Sequence, residues 1–403
     1  MPGFLDRRRA GRLMREEGLE ALVLAQPESI TYAAGAFPGV ASFWRRAGAA
    51  FLLVPADEHQ PLTAIVGDLQ AKSFREASGI DDVRSHRIWV ETDSHPMADA
   101  AKPKRMPRPA QYELTAALAL LRDALGDRHL ARTRVGLELG FVPVADFHAF
   151  QSIDVTWADC TRLVERLRAV KQPAEIKFLR DAACFAAAGM EVLIASIAPG
   201  MTAEQMTAIW REAAISEAAR RAERPPQSTW AYIAVGGDGF APGGPTQAGD
   251  LIKIDVGCVV GGYSSDGGRT ASLGTPHPAA SQMFDALHRA FDAGLAVLRP
   301  GVPLQEVYRE TAGTMWKQGY DTYGRGHFGH GVGSSIWSEE WPFISAASDA
   351  IAEPGMVLAF ETPHYVRGLG GFIIEDQILI TDGGIEIMAP MPRELRVITH
   401  PSP

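Results

Sequence analysis

The chain has 403 residues and a formal net charge of −9. It is too long for one ordinary hydrophobic core, so two domains are expected. The negative charge argues against a nucleic-acid-binding surface and against binding to anionic membranes. Three scattered cysteines without a C-x-x-C pair indicate reduced thiols. Because no signal peptide and no membrane-spanning apolar run is recognisable, we expect a cytoplasmic enzyme.

The first part of the chain alternates predicted helices and strands. Helices are predicted over 7–17 and 112–125, and strands over 21–25, 51–54 and 63–67. This alternation predicts an α/β N-terminal domain. The basic, proline-rich stretch 101–109 is predicted to be a surface loop.

Near residue 160 the pattern changes to long helices. Pro173 begins a predicted helix that runs toward Ile197. Thr202 and Gln205 have the spacing of a capping box, which predicts the start of the next helix. We therefore predict two domains, 1–160 and 161–403.

Two pairs of acidic residues in the second domain flank glycine-containing turns between apolar, strand-like runs. A hairpin centred between Val260 and Gly261 would place Asp255 opposite Asp266. A second hairpin, centred on Gly368, would place Glu361 opposite Glu375. Buried like charges destabilise a sheet unless a cation lies between them. The two pairs therefore predict a metal site.

A faint internal repeat supports this prediction. A Pro-Gly pair precedes a helix in each copy, at 199–200 and 300–301. Later, Gly249 precedes a strand that ends in Asp255, and Gly355 precedes one that ends in Glu361 at the same spacing. Each copy would thus contribute one carboxylate pair, as a pseudo-twofold metal site requires.

A fifth ligand-type side chain, His330, lies in the glycine-rich segment 329–333. The flanking glycines leave the imidazole uncrowded. Four carboxylates and one imidazole form an oxygen-rich site suited to Mn²⁺, Fe²⁺ or Co²⁺, with Zn²⁺ as a further candidate. The four negative charges can neutralise two divalent ions. Such a centre would generate hydroxide near neutral pH and polarise a substrate carbonyl.

The segments Asp255-Val-Gly, Ser-Asp266, Gly-His330-Gly-Val-Gly and Glu375-Asp376, together with Glu361, resemble the M24 metallopeptidases. That family includes Xaa-Pro dipeptidases, Xaa-Pro aminopeptidases, methionine aminopeptidases and creatinase. Segments 32–35 and 167–171 are similar to the two-domain creatinase/prolidase branch. The resemblance implies an α/β N-terminal domain of creatinase/prolidase type and an α+β "pita-bread" catalytic domain.

The resemblance also implies roles for the five residues. Asp255 would hold one metal ion, and His330 and Glu361 the other. Asp266 and Glu375 would bridge the two ions, which we expect to be manganese. Glu361 would also carry the proton from the nucleophilic water to the leaving nitrogen. The two-domain relatives are typically homodimers, so a homodimer is expected.

The sequence departs from the family at three positions. Gly243 and Trp337 stand where peptidases carry two histidines that bind substrate and stabilise the tetrahedral intermediate. Ile373 stands where an arginine is frequent. His327 and His364 lie near the motifs and could replace the missing histidines, or be ordinary loop residues.

Aromatic residues near the motifs give further candidates for substrate binding. Trp337, Trp341 and Tyr365 could form an aromatic pocket, although aromatic side chains more often belong to the core. In the first domain, Trp44 lies in an aromatic and basic patch, 42–46, that could contact the partner's active site in a dimer or be simple surface.

The leading hypothesis is a dinuclear metal hydrolase of Xaa-Pro peptidase type that cleaves a C–N bond in a small molecule or short peptide. A first alternative keeps the metal site but changes the reaction, as in ectoine hydrolase or the dimethylsulfoniopropionate lyases. A second is a metal-free enzyme like creatinase or a non-catalytic binding module, against which the five retained ligands argue.

Overall fold

The computed structural model describes residues 3–46, 50–88, 114–237, 239–335 and 339–399, without the side chains of Ala41 and Trp44. It divides into two compact units, Met1–Arg168 and Ala169–Pro403. The domain boundary predicted at residue 160 precedes the last helix of the first unit. The predicted loop 101–109 lies outside the described residues.

The first unit contains a six-stranded mixed sheet in the order β4-β3-β2-β1-β5-β6. Its strands are β1 (Ala21–Leu24), β2 (Phe51–Pro55), β3 (Thr63–Gly67), β4 (Asp82–His86), β5 (Arg134–Leu137) and β6 (Thr156–Asp159). Its helices are α1 (Arg7–Glu16), α2 (Pro27–Ala34), α3 (Asp68–Ser78), α4 (Leu114–Asp127), α5 (Val144–Phe150) and α6 (Thr161–Ala169), with a short 3-10 helix at Val40–Trp44.

Strand β1 is apolar at every position because both faces of the sheet are covered there. Leu22 and Leu24 belong to one buried cluster, whereas Ala21 and Val23 belong to another on the opposite face. Because side chains alternate along a strand, a sheet covered on both faces needs apolar residues at every position. The α/β fold predicted for this domain is therefore confirmed.

The second unit is built on a larger, mainly antiparallel sheet whose central path runs β10-β9-β11-β17-β14-β12-β13. The strands are β7 (Ser228–Ala231), β8 (Ala234–Val235), β9 (Leu251–Val260), β10 (Tyr263–Ser264), β11 (Gly267–Leu273), β12 (His327–Gly331), β13 (Glu340–Ser345), β14 (Val357–Glu361), β15 (His364–Val366), β16 (Gly370–Phe372), β17 (Glu375–Thr381), β18 (Gly384–Ile387) and β19 (Arg396–Ile398). The helices are α7 (Pro173–Ser196), α8 (Ala203–Arg220), α9 (Pro278–Val297) and α10 (Leu304–Lys317).

The start of α8 has the predicted capping box. The Thr202 N–H donates to Gln205 Oε1 at 3.0 Å, and the Gln205 N–H donates to Thr202 Oγ1 at 3.3 Å. Helices α7 and α8 pack with β9 and β11 in one core, and α9 and α10 pack with β14 and β17 in another. None of the helices in the described residues has the length and apolar character needed to cross a bilayer.

The predicted internal repeat is present in the structure. The Gly249 N–H, before β9, donates to Leu273 O on β11, and the Gly355 N–H, before β14, donates to Ile380 O on β17. Each half thus consists of a helix pair and an antiparallel strand pair. The halves meet where β11 pairs with β17, with Gly268 opposite Glu375.

The register predicted for the first hairpin is wrong by two residues. Tyr263 pairs with Val260, and Asp255 lies opposite Gly268 instead of Asp266. The cause is the turn, in which Gly261 and Gly262 both have positive φ, 60° and 84°. Such a two-residue Gly-Gly turn matches the twist of the flanking strands and shifts the pairing.

Candidate metal centre

The register of the central strands places the predicted ligands on one face of the sheet. Asp255 pairs with Gly268, Gly268 with Glu375, and Glu375 with Glu361, as the second predicted hairpin requires. These four residues form a row across β9, β11, β17 and β14. Since side chains two residues apart along a strand share a face, Asp266 lies on the same side as this row.

The tightest part of this arrangement contains Asp266, His330 and Glu375. One ligand-type atom from each of these residues lies within 4.8 Å of the others. The closest described contact joins His330 Nε2 to Asp266 Oδ2 at 3.5 Å. Asp266 Oδ1 is buried and has no hydrogen-bond partner. A buried oxygen without a partner is costly unless a cation satisfies it.

The backbone fixes the tautomer of His330. Its Nδ1 lies 3.0 Å from the carbonyl oxygen of Gly331. A carbonyl oxygen can only accept a hydrogen bond, so Nδ1 carries the proton. The lone pair of Nε2 therefore faces Asp266, which is the orientation that metal-binding histidines adopt.

Three carboxylates of the centre, Asp266, Glu361 and Glu375, repel one another. Burial raises the pKa of Asp266 well above its usual range, and the negative charges of Asp255 and Glu361 raise it further. Burial, followed by the charges of Asp266 and Glu361, does the same to the pKa of Glu375. The pKa of Glu361 is raised mainly by burial, although Arg325 and His330 oppose the shift. A bound cation would remove this repulsion.

These residues line a cavity of about 250 Å³. Its described lining is Trp230, Tyr232, Asp255, Ser264, Ser265, Asp266, His330, Gly331, Val332, Gly333, Ser335, Glu339, Glu361 and Glu375. All five predicted ligands therefore face one space. The donor set and the unpartnered oxygen of Asp266 fit a hard divalent cation.

A model of metallopeptidase family M24 matches residues 177–382, about half of the chain. The chain belongs to this family. A model of the creatinase/prolidase N-terminal domain matches residues 7–170 of the same chain. Together they identify a metal-dependent hydrolase with the two-domain architecture expected from the motifs.

Individual relatives agree with this assignment. The chain is 29% identical to the uncharacterized peptidase YqhT of Bacillus subtilis over 276 residues, which cover 66% of this chain and 75% of that protein. It is 30% identical to the probable dipeptidase PepE of Mycobacterium tuberculosis over 271 residues, 64% of this chain and 68% of that one. Its fold matches an Xaa-Pro dipeptidase from Bacillus anthracis with a TM-score of 0.78 and 23% identity, covering 97% and 99% of the two chains. The predicted pita-bread fold is thereby confirmed.

A buried lysine beside the predicted ligands was missed by the sequence reasoning. Lys253 Nζ lies 2.8 Å from Asp255 Oδ2, and its side chain is only 4% exposed. Burial acts to lower the pKa of Lys253, but its neighbours, above all the charge of Asp255, outweigh burial and raise the pKa. Lys253 precedes Asp255 by two residues on β9, so strand periodicity alone predicts that the two side chains share a face.

A second group of polar residues surrounds Glu361. Arg325 donates to Glu361 Oε1 at 3.3 Å. His327 Nδ1 accepts from the Gly329 N–H at 3.3 Å, so its Nε2 carries the proton and donates to Glu339 Oε2 at 3.2 Å. His327 is thus held beside Glu361, whose Oε1 lies 3.7 Å from Nδ1.

Of the other predicted substrate residues, those whose side chains are described do not line the cavity. His364 and Tyr365, on β15, are not among the described residues that line the cavity. His364 packs edge-on against Tyr323, and the ring of Tyr365 lies under Lys253 Nζ, 5.6 Å from the ring centroid. Trp341 packs against a hydrophobic core. Neither Trp337 nor the Trp44 side chain is among the described parts of the chain.

Two further residues, Glu339 and Gly243, bear on the family histidines that this chain lacks. Glu339, two residues after Trp337 in the sequence, lines the cavity. Gly243 cannot be replaced by a larger residue without strain, since its φ is +74° and an added Cβ would lie 2.1 Å from Val235 O. A histidine at that position would require the backbone to shift.

Proposed function

We propose that this chain hydrolyses the amide C–N bond of a short peptide or peptide-like substrate of Xaa-Pro type, at a divalent metal centre. The observation that carries the proposal is the buried cluster of Asp266, His330 and Glu375, which faces a cavity in a chain of the M24 family. The names of the relatives, which include a probable dipeptidase, support the choice of a small peptide.

The metal assignment is part of the proposal. His330 and Glu361 would hold one divalent ion, Asp255 would hold a second, and Asp266 and Glu375 would contribute to both. Manganese remains the first candidate, with Co²⁺, Fe²⁺ or Zn²⁺ as others, because the donors are mostly carboxylate oxygens. Bound ions would acidify water and polarise the substrate carbonyl.

Glu361 is the proposed general base. Its carboxylate lines the cavity, where it could accept a proton from bound water. Arg325 Nη2 contacts Oε1, so Oε2 is free of that bond for the water proton. Glu361 would then return the proton to the leaving nitrogen.

The cavity supports a small substrate. Its volume of about 250 Å³ lies below the range of roughly 300–1,000 Å³ that is usual for ligand pockets. Trp230 and Tyr232 provide apolar surface in its wall, and His327 and Glu339 provide polar groups near Glu361. His364, Tyr365, Trp337 and Trp44 remain predicted substrate residues only from sequence.

A second candidate function is C–N hydrolysis of a small non-peptide substrate, or an elimination like that of dimethylsulfoniopropionate lyases. The observation that favours it is Gly243, whose left-handed backbone and closeness to Val235 O disfavour the histidine that peptidases use. A homodimer and a cytoplasmic location remain predictions from the sequence.

The deciding experiment is an assay of the metal-loaded protein against Xaa-Pro dipeptides, longer Xaa-Pro peptides and matched dipeptides without proline. Selective release of the residue before proline would support the proposal. Full metal loading without cleavage of any of these peptides would overturn the peptidase reaction and favour the second candidate.

A further inference from the structure

Part of the cavity is walled by the segment 332–335, which follows β12. Val332, Gly333 and Ser335 of this segment line the cavity. None of them is a predicted metal ligand, so a bound metal ion would not hold them directly. Glu340, at the start of β13, contacts this wall through its side chain.

The carboxylate of Glu340 is buried and faces two different partners. Its Oε1 accepts a hydrogen bond from the Ser335 N–H at 2.8 Å. Its Oε2 lies 3.7 Å from Nζ of Lys171, and the side chains of Glu340 and Lys171 are 7% and 1% exposed. A buried carboxylate is costly without a cation beside it. Lys171 therefore allows Glu340 to remain charged next to the wall.

The backbone of Gly333 lies directly against the same carboxylate. A Cβ added to Gly333 would lie 2.4 Å from Glu340 Oε2 and 2.8 Å from its Cδ. Only a residue without a Cβ permits so close an approach. Glu340 thus contacts the wall at two of the residues that line the cavity.

Further contacts join the wall to its neighbours in the sheet. Gly331, the residue before the wall, pairs with Glu340 across β12 and β13. The Ser264 N–H donates to Gly333 O, and Ser264 Oγ accepts from Trp230 Nε1, both at 2.9 Å. A displacement of the wall would therefore change the lining of the cavity around Trp230 as well.

We infer that Glu340 is a positioning residue, which holds the wall 332–335 in place for the substrate while Lys171 balances its charge. Glu340 acts through Ser335 and Gly333 and is not among the described residues that line the cavity. This inference rests on the proposed function and names a residue on which the affinity for substrate depends.

The test compares two full-length double variants that share Lys171→Met. In Lys171→Met/Glu340→Gln, the side chain at position 340 keeps an oxygen that can accept from the Ser335 N–H. In Lys171→Met/Glu340→Met, that acceptor is lost. Neither variant leaves a buried charge without its partner, as a single substitution would. Urea unfolding checks that both fold, and Lys171→Met/Glu340→Leu replaces the second variant if it does not.

Hydrogen exchange of the metal-free proteins is the first measurement and needs no substrate. Exchange in a peptide that covers 332–335, followed by mass spectrometry, should be about fivefold to tenfold faster in the Glu340→Met variant than in the Glu340→Gln variant. The Glu340→Gln variant should resemble the wild type. Equal exchange in the two folded variants would overturn the inference.

Steady-state kinetics of the Mn²⁺-loaded proteins with Xaa-Pro dipeptides is the second measurement. A wall that contacts the substrate equally before and in the transition state changes KM and leaves kcat unchanged. We expect KM to be about threefold to tenfold higher in the Glu340→Met variant than in the Glu340→Gln variant, with kcat and bound Mn²⁺ unchanged. A merely structural role would alter the free energy of unfolding and leave KM unchanged, so equal KM values would overturn the inference.

Failure of the proposed function gives a different result. If the two double variants differ in exchange as expected but no protein cleaves Xaa-Pro peptides, the data support the position of Glu340 and contradict only the proposed reaction. An active peptidase whose two double variants agree in exchange and in KM would contradict only the role of Glu340.

Discussion

The buried carboxylate of Glu175, on helix α7, should make the free energy of unfolding depend on pH, and the structure gives the size of this effect. Its carboxylate accepts hydrogen bonds from the Gln172 N–H at 2.7 Å and the Tyr263 hydroxyl at 2.8 Å. The side chain is buried, and burial raises its pKa from 4.5 to about 7. Since a tenfold change in proton affinity corresponds to about 1.4 kcal/mol, the charged form costs the folded state about 3 kcal/mol.

The sign of the pH dependence follows from the direction of this shift. Above pH 7 the folded protein must bury a charged carboxylate, so the full cost of about 3 kcal/mol is present. The cost falls as the pH drops from about 7 toward the ordinary value of 4.5 and disappears below it. The contribution of Glu175 to stability therefore increases on acidification across this interval.

The variant Glu175→Gln removes the charge but keeps one acceptor oxygen. Losing the second acceptor costs about 1 kcal/mol at any pH. We expect the variant to be about 2 kcal/mol more stable than the wild type at pH 8 and about 1 kcal/mol less stable near pH 4.5.

Urea unfolding of both proteins at several pH values between 4.5 and 8, without metal, measures this difference. Comparing the two proteins cancels the contributions of the other buried carboxylates. Glu204→Gln, at a surface glutamate in the first turn of α8, controls for the loss of one negative charge. A wild-type–variant difference that does not change between pH 4.5 and 8 would refute the reasoning.

The remaining predictions concern the centre and the core beside it. Asp266→Ala should abolish both Mn²⁺ uptake and hydrolysis, measured by metal analysis and peptide assay; retained activity would contradict its place in the centre. Gly243→Ala should lower the free energy of unfolding in urea by about 1–3 kcal/mol, because the new Cβ would meet Val235 O and the backbone is left-handed. An unchanged urea midpoint would contradict this. Arg269→Ala should cost about 3–5 kcal/mol, since it leaves buried Asp376 without its 2.6 Å partner; a loss below about 1 kcal/mol would show that Arg393 alone satisfies that carboxylate.

Much of the fold followed from local signals. Apolar runs and glycine turns predicted the strands on which Asp255 and Glu361 lie, and a capping box predicted the start of α8. These features depend on residues close together in sequence, where turn chemistry and side-chain alternation act. The pairing of Glu361 with Glu375 was predictable because the turn around Gly368 is symmetric.

The errors arose where one local choice has several outcomes or where partners are far apart. The Gly261-Gly262 turn can be centred at more than one position. The observed register differs from the predicted one by two residues, so that Asp255 lies opposite Gly268 and not opposite Asp266. The contacts of Arg325 with Glu361 and of Tyr365 with Lys253 depend on tertiary packing, which spacing in the sequence does not encode.

The row of residues across β9, β11, β17 and β14 also has a mechanical consequence. It crosses the contact between β11 and β17, where the two repeats meet, so a cation held there would tie together halves that each have their own helix pair and core. Its binding free energy would then add to the free energy of unfolding of the whole unit, by about 2.7 kcal/mol at a concentration one hundred times the dissociation constant. In such a protein, the supply of metal would set not only the rate of catalysis but also how long the chain survives in its folded form.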